Sequence, residues 1–330
     1  MRLNKNCLKL QGLFFSWLIF TLLFPKLGYS QKAEIANYPT RPITLIIHLP
    51  PGNNTDLAAR LIAKEAEKYL GQPVIPVNKP GGTMTIGTAA VASAKPDGYT
   101  IGLSLHSPQL IVPHLEKVPY HPVKDLRQVM QFSGFNFGIF VKQDSSFKDF
   151  KDVVAYARQS PKKLTYASTA NSMQYFIMEQ IAHKEKVQFS LIPFKGTPEI
   201  EIATLGGHTL IGLGDFNYSL LEAGQTRLLV LLKEERSAEY PQMPILKDLG
   251  YDIPCPMFMG LLGPKGLPEE IVKKLEEAFT SAMKEPAFIN GMKELHVPIV
   301  YRKSKELADY VSHHYEFFGK VLREMGPTKP

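Results

Sequence analysis

The chain has 330 residues, room for about two domains at ~150 residues each, and its 44% apolar and 21% charged composition excludes a disordered or fibrous chain. Two cysteines exclude a disulfide framework and a cysteine-rich zinc site, while 26 prolines and 24 glycines fit many short elements joined by turns. The formal charge of +7 would suit a nucleic-acid or acidic-membrane partner only if it lies on the folded part.

It does not. Met1 to Lys9 carries Arg2, Lys5 and Lys9 without an acid, Leu10 to Phe24 is mostly apolar, and Gly28 and Ser30 stand at the spacing of a small-residue cleavage site. This is the order of a secretory signal peptide over residues 1–30, cut after Ser30, and the apolar run is short for a spanning helix of ~20 residues. With Lys26, four of the seven excess charges leave with it. So do Cys7 and Trp17, the only tryptophan, and the remaining Cys255 has no intrachain partner. The mature chain is expected to be an exported, extracytoplasmic protein, with no nucleic-acid footprint.

Ile43 to Leu49 is a β-branched apolar run that reads as a buried strand. After Pro50 to Asp56 a helical period begins at Leu57, with Asn54 or Thr55 as the expected N-cap and Gly71 at the C-terminal turn. A strand at Val74–Val77, an alanine-rich helix to Ser93 and a strand at Tyr99–Leu105 complete a β-α-β-α-β half-unit of a parallel sheet. A second alternating series starts near Phe137. Its expected strands are Gly138–Lys142, Leu164–Ala167, Gln188–Ile192, Thr209–Leu213, Arg227–Leu232 and Phe258–Leu262. Helices are expected at Phe147–Gln159, Ser172–Lys184, from Pro198, near Tyr218, and at Pro268–Met283, Pro286–Leu295 and Ser304–Met325.

In open parallel sheets ligands bind beyond the carboxyl ends of the strands, where helix N-termini present backbone N–H groups. The loops on that edge are Pro50–Thr55, Asn78–Thr83 and Ser104–Pro108 in the first half. In the second they are Ser168–Ser172, Phe194–Thr197 and Gly214–Asn217. They are rich in Gly, Ser, Thr and Asn, which offer donors and short hydroxyls but little acid–base capacity. Helix N-termini favour an anion, most simply a carboxylate. Each loop alone would pass for an ordinary capped turn; six on one edge make a cleft.

Catalytic patterns are missing: there is no Gly-x-Ser-x-Gly elbow, phosphate loop or His-Glu-x-x-His. Gly212-Leu-Gly214 lacks the third glycine of a dinucleotide fingerprint, since Asn217 stands there. His313 and His314 point about 100° apart on a helix and read as surface residues rather than a metal pair. Asp56 and Asp215 could serve as bases, with helix capping the plainer role for Asp56.

The order of motifs resembles the extracytoplasmic receptors of tripartite tricarboxylate transporters, the TctC or Bug family. The matching residues are Tyr38-Pro39-Thr40-Arg41-Pro42-Ile43, Pro51-Gly52 through Thr55-Asp56, Asn78-Lys79-Pro80-Gly81-Gly82 and Pro96-Asp97-Gly98-Tyr99-Thr100. They continue through Tyr166-Ala167-Ser168, Pro193-Phe194-Lys195-Gly196, Leu205-Gly206-Gly207 and Gly263-Pro264. The resemblance implies an α/β, two-domain periplasmic-binding-protein-like fold with the ligand cleft between domains. Residues 37–137 plus 250–330 would form one domain and 138–249 the other. It also implies a monomeric receptor in the periplasm, without enzymatic activity or cofactor, which closes on a small organic carboxylate and delivers it to transporter subunits in the membrane; sensing for a signalling partner is the second reading and an exported hydrolase or isomerase the third. The ligand site carried over comprises Pro51, Gly52, Asn53, Asn54, Thr55, Asp56, Gly81, Gly82, Thr83, Ser104, His106 and Ser107 on one wall. The other wall comprises Ser168, Thr169, Asn171, Ser172, Lys195, Gly196, Thr197 and Asp215. Asn53 and Asn54 depart from the glycines usual there, Tyr175 from a histidine, and Leu210 from an aspartate.

Overall fold

The computed structural model describes residues 35–237 and 239–325; the signal segment lies outside the described residues. Two sheets organise them. The first contains β1 (Ile43–Ile47), β2 (Val74–Asn78), β3 (Thr100–Leu105), β4 (Leu126–Gly134), β10 (Phe258–Pro264) and β11 (Ile299–Lys303), in the order β11-β4-β10-β3-β1-β2. The second contains β5 (Phe137–Lys142), β6 (Thr165–Ser168), β7 (Ser190–Pro193), β8 (Ile211–Asp215) and β9 (Thr226–Leu231), in the order β7-β6-β8-β5-β9.

Both sheets are mixed rather than parallel. β1 runs parallel to β2 and β3, as the β-α-β-α-β reading requires, but β10 is antiparallel to β3 and β4. In the second sheet β6 is parallel to β7 and β8, whereas β5 is antiparallel to β8 and β9. The antiparallel strands are those by which the chain changes sheet. β4 ends at Gly134 and β5 begins at Phe137, so only Phe135 and Asn136 lie between the sheets; β10 returns the chain after residues 232–257. The strands β4 and β11 and the short helices α3 (His106–Leu110) and α4 (Val112–Leu115) were not anticipated from the sequence.

Helix α1 (Asn54–Leu70) presents Ala58, Ala59, Ile62, Ala63 and Ala66 to the core of the first sheet. That face meets α9 (Glu269–Ala282) and α10 (Pro286–Glu294), which contribute Val272, Leu275, Phe279, Phe288 and Met292. Small alanines let the helix axis approach closely, and the burial of these side chains is the main favourable term holding the layer. Gly71 ends α1 with φ +68, the left-handed turn its position announced. The other helix of this half, α2 (Thr85–Ala92), packs on β1 and β3.

In the second core, α5 (Phe150–Gln159) and α6 (Met173–Glu185) pack on β5, β6 and β8. The capping box Asp149/Asp152 starts α5. Helices α7 (Thr197–Leu205) and α8 (Tyr218–Glu222) follow β7 and β8. The long C-terminal helix α11 (Ser304–Met325) follows β11 of the first sheet, yet its Leu307, Val311, Phe318 and Leu322 belong to the core that holds α6. The rings of Phe318 and Phe176 lie 5.3 Å apart, edge to face. α11 therefore ties the two halves together.

Candidate functional site

The loop after β1 is built around one carboxylate. Asn53, with extended backbone (φ −84, ψ 164), is the N-cap of α1, and its Oδ1 accepts the Asp56 N–H at 3.0 Å. The expected cap, Asn54 or Thr55, is displaced by one or two positions, because the Asn53 side chain can reach the third helical N–H. Asp56 itself is 1% exposed. Its Oδ2 accepts from Gly52 N at 2.9 Å and Arg60 Nε at 3.0 Å, and its Oδ1 accepts from Asn78 Nδ2 at 2.8 Å. Burial alone would raise its pKa, but the hydrogen bonds from Arg60, Gly52 and Asn78 outweigh that and hold it below the ordinary value. A carboxylate held by three donors, one of them a guanidinium, ties the loop to β2 and is committed to the fold rather than to proton transfer.

In the loop after β2, Gly81, Gly82, Thr83 and Met84 all have positive φ, from +47 to +121. Gly81, at φ +121, holds a backbone conformation that other residues rarely adopt; a Cβ there would meet Ile86 Cδ1 at 2.6 Å, and one on Gly82 would meet Thr85 Oγ1 at 2.5 Å, so either substitution makes a side chain of α2 shift. The loop after β3 turns inward. Ser104 Oγ donates to Gln128 Oε1 at 2.6 Å, Gln128 Nε2 to Gln109 Oε1 at 2.6 Å, and Gln109 Nε2 to Ser104 Oγ at 2.8 Å, a closed ring. His106 is 3% exposed, edge-on to Phe135, Phe137 and Phe258 with centroids 5.1 to 6.3 Å away. Burial drives its pKa down to about 3, so the imidazole is neutral. Ser104 and His106 are thus held inside the fold, not on an open wall. Ser107 joins the halves: its Oγ lies 3.0 Å from His106 Nδ1 and accepts the Met173 N–H of α6 at 3.2 Å.

The second wall is looser. Ser172 caps α6, accepting from Tyr175 N at 3.3 Å and donating to Thr169 O at 2.6 Å. Asn171, at φ +54, donates to Glu116 Oε1 of the first half. Ser168, at the end of β6, is fully buried, and its Oγ finds no protein partner; the Gln174 Oε1 is likewise unpaired. Lys195 is exposed and gives its N–H to Glu199 Oε2 at 2.9 Å; the extended Gly196 then leads into α7 at Thr197. Asp215 ends β8 and accepts from Asn54 Nδ2 at 3.1 Å, a direct contact between the two walls. Burial, with the Glu201 charge adding to it, pushes its pKa up to about 7 against the Asn54 hydrogen bond. The loops after β1 and β8 therefore face each other, as do those after β3 and β6. Pro51, Gly52 and Thr55 flank Asn54 on the first wall.

Sequence reasoning missed a neighbouring cluster. The Tyr218 ring stacks on His296 with centroids 4.0 Å apart and planes 8° from parallel; Asn136, between the sheets, donates to Tyr218 Oη and to His296 O. Tyr218 Oη donates to Glu239 Oε2 at 3.1 Å. Four residues so spread along the chain leave no local pattern. His314 corrects another expectation: it is 7% exposed, with Nδ1 2.9 Å from Tyr310 O and Nε2 3.5 Å from Glu234 Oε1, while His313 is exposed. Tyr175 is buried in the second core. Cys255 is buried, and burial pushes its thiol pKa well up, so it is an inert core residue. Among the described residues no group of three His, Cys, Asp or Glu side chains is placed to hold a metal ion. No described helix is long and apolar enough to cross a membrane.

Comparisons with known proteins agree with this architecture. Residues 58–326 match the family described as "Tripartite tricarboxylate transporter family receptor". A Cupriavidus necator relative, "UPF0065 protein in gbd 5'region", is 36% identical over 300 residues, covering 90% of this chain and 91% of its own. A solved structure described as that of a periplasmic transporter superposes with a TM-score of 0.79 at 26% identity, covering 88% of this chain and 99% of its own. MatC from Rhodopseudomonas palustris, solved with bound malate, gives 0.74 at 26% identity, covering 86% of this chain and 99% of its own. Its two mixed α/β sheets are the periplasmic-binding-protein arrangement, and this chain belongs to the TctC family of solute-binding receptors of tripartite tricarboxylate transporters, binding proteins rather than enzymes.

Proposed function

We propose that the protein captures a small organic carboxylate between the two walls and presents it to the membrane subunits of a tripartite tricarboxylate-type transporter. The observation that carries this reading is the Asn54–Asp215 contact, which brings the loops at the carboxyl ends of β1 and β8 together. Around it lie glycine, serine, threonine and asparagine loops with the N-termini of α1, α6 and α7, groups that favour an anion. MatC, whose structure holds malate, supports a carboxylate of that size.

In this reading residues 37–137 plus 250–330 and residues 138–249 act as two domains. They hinge where Phe135 and Asn136 cross between the sheets. Binding energy shifts the balance between open and closed forms, and the closed form is what the transporter recognises. The chain works as a periplasmic monomer after cleavage behind Ser30. Pro51 to Asp56, Gly81 to Thr83 and Ser107 frame one side of the ligand, with Ser168 to Ser172, Lys195 to Thr197 and Asp215 on the other.

Native mass spectrometry of protein taken from its own periplasm, followed by a thermal-shift panel of mono-, di- and aromatic carboxylates, tests this. A true ligand at a hundredfold excess over Kd adds about 2.7 kcal/mol of stability. If no acid raises the melting point while an uncharged sugar or an amine does, the carboxylate assignment is wrong.

A further inference from the structure

Of the two aspartates on the walls, Asp56 and Asp215, it is Asp215 whose surroundings disfavour its charge. It ends β8, beside β6 in the middle of the second sheet, and its carboxylate reaches the neutral Asn54 amide across the cleft. The titratable groups facing it from the packed elements are Glu201 on α7 and Tyr218 at the start of α8. Behind Tyr218 stands Glu239. All are acids, and no cation is paired with Asp215 among the described residues. On α1 the Asp56 carboxylate is committed to Arg60. On the neighbouring parallel strand β6, the fully buried Ser168 hydroxyl has no protein partner, a second sign that this end of the sheet is shaped for a group from outside the chain.

An anion placed here meets a carboxylate that cannot be neutralised by a neighbouring lysine or arginine. Two like charges a few ångströms apart do not both stay ionised when one can take up a proton. We infer that Asp215 sets the charge the cleft accepts: a ligand carboxylate seated against it enters together with one proton, held on Asp215 and donated to the ligand oxygen. The Asn54 amide then fixes the second carboxyl oxygen in place. The raised pKa of Asp215 agrees with this, since the proton is gained close to neutral pH. This rests on the carboxylate reading of the same cleft.

Two measurements test it. In ligand-free protein carrying 13C-carboxyl aspartate, the Asp215 resonance, identified by its loss in Asp215→Asn, titrates with a midpoint near neutrality; a midpoint in the ordinary aspartate range overturns the inference. Calorimetric titration with malate and with adipate from pH 5.5 to 9 reads the linked proton directly. Affinity is expected to fall about tenfold per pH unit above neutrality, with heats that depend on the buffer's ionisation enthalpy as one proton taken up requires. Asp215→Asn flattens that slope. Binding of either acid with a flat profile and buffer-independent heat overturns the inference and leaves the carboxylate reading intact. Absence of binding by a broad acid panel at every pH overturns the carboxylate reading and the inference with it.

Discussion

The two walls of the cleft use the same residue types in opposite ways. On the first, most polar side chains are consumed by the fold: Asp56 holds Gly52, Arg60 and Asn78, and Ser104, Gln109 and Gln128 close a ring; His48 is the exception, with Nδ1 3.3 Å from Thr88 Oγ1 but a buried Nε2 that has no partner. On the second, Ser168 and Gln174 keep unpaired oxygens and Asp215 is held above its ordinary pKa. Satisfied buried networks rigidify; unsatisfied buried groups cost stability and are retained where something else completes them. The first wall is therefore a preformed frame, and the second is where a ligand supplies the missing partners. Substitutions should separate the two by their sign and readout.

The largest loss is expected at Asp56. Asp56→Ala leaves Asn78, the Gly52 N–H and Arg60 without their acceptor, which costs about 2–3 kcal/mol in chemical denaturation. Because the Asp56 pKa is depressed in the folded state, its contribution is present above the ordinary carboxylate value and is lost as pH falls through the lower folded value. Wild type and variant should converge in acid. Equal stability at pH 7 would show that the network is not a frame. Next comes Gly87→Ala on α2: the new Cβ would lie 2.3 Å from His48 Cδ2, and Gly102 also lies against the ring, its Cβ position 3.2 Å from Nε2. Overpacking of this kind costs about 2 kcal/mol. His48 is pushed by burial down to about 3, so it is neutral in the fold, and its stabilising share is complete above 6.5 and is lost as pH falls below that. A Gly87→Ala protein that melts like wild type would mean the ring moves freely.

How far the sequence reveals these differences depends on how local their causes are. The strand Ile43–Leu49 and helix α1 declare themselves by β-branched and helical periodicity, and Gly71 by its place after the last apolar residue. β4 did not, because Gln128, Gln131 and Ser133 break its apolar pattern; they are buried all the same. Their partners Gln109, Arg302 and Pro298 lie up to 171 residues away in the chain, and no window of sequence contains them. β11 is an edge strand whose residues alternate between exposed and half-buried, leaving little hydrophobic signal. His106 looks like a wall residue from its place after a strand, yet three phenylalanines from the two crossings enclose it. The loops of the cleft were legible because strand-then-glycine is a local pattern. Which of their side chains face a ligand was not, since that depends on what each one bonds across the fold.

On the second wall the sign reverses. With its folded pKa at about 7, Asp215 keeps a proton that the unfolded chain has already lost, so stability falls as pH rises from about 4 to 7. Asp215→Asn removes that slope and can still accept the Asn54 amide proton. At pH 8 it should be more stable than wild type by about 1 kcal/mol, discounted for the carboxylate's partial exposure. A melting point below wild type at pH 8, with the same pH slope, would place Asp215 with the frame residues.

The smallest stability effect and the sharpest contrast belong to Ser168. Its hydroxyl is buried and has no protein partner, so Ser168→Ala deletes a desolvated group and no hydrogen bond. Stability should stay within about 0.5 kcal/mol of wild type, or rise. Affinity for an acid that binds the wild type should fall roughly fivefold, the worth of one hydrogen bond of about 1 kcal/mol. Asp56→Ala shows the reverse balance, losing stability first and affinity only through the distorted loop. The ratio of the affinity change to the stability change therefore classifies a wall residue without knowledge of the ligand's pose. If Ser168→Ala lost more than about 1 kcal/mol of stability and no affinity, the hydroxyl would be a frame group completed by the protein, and the division between the walls would fail at its most exposed point.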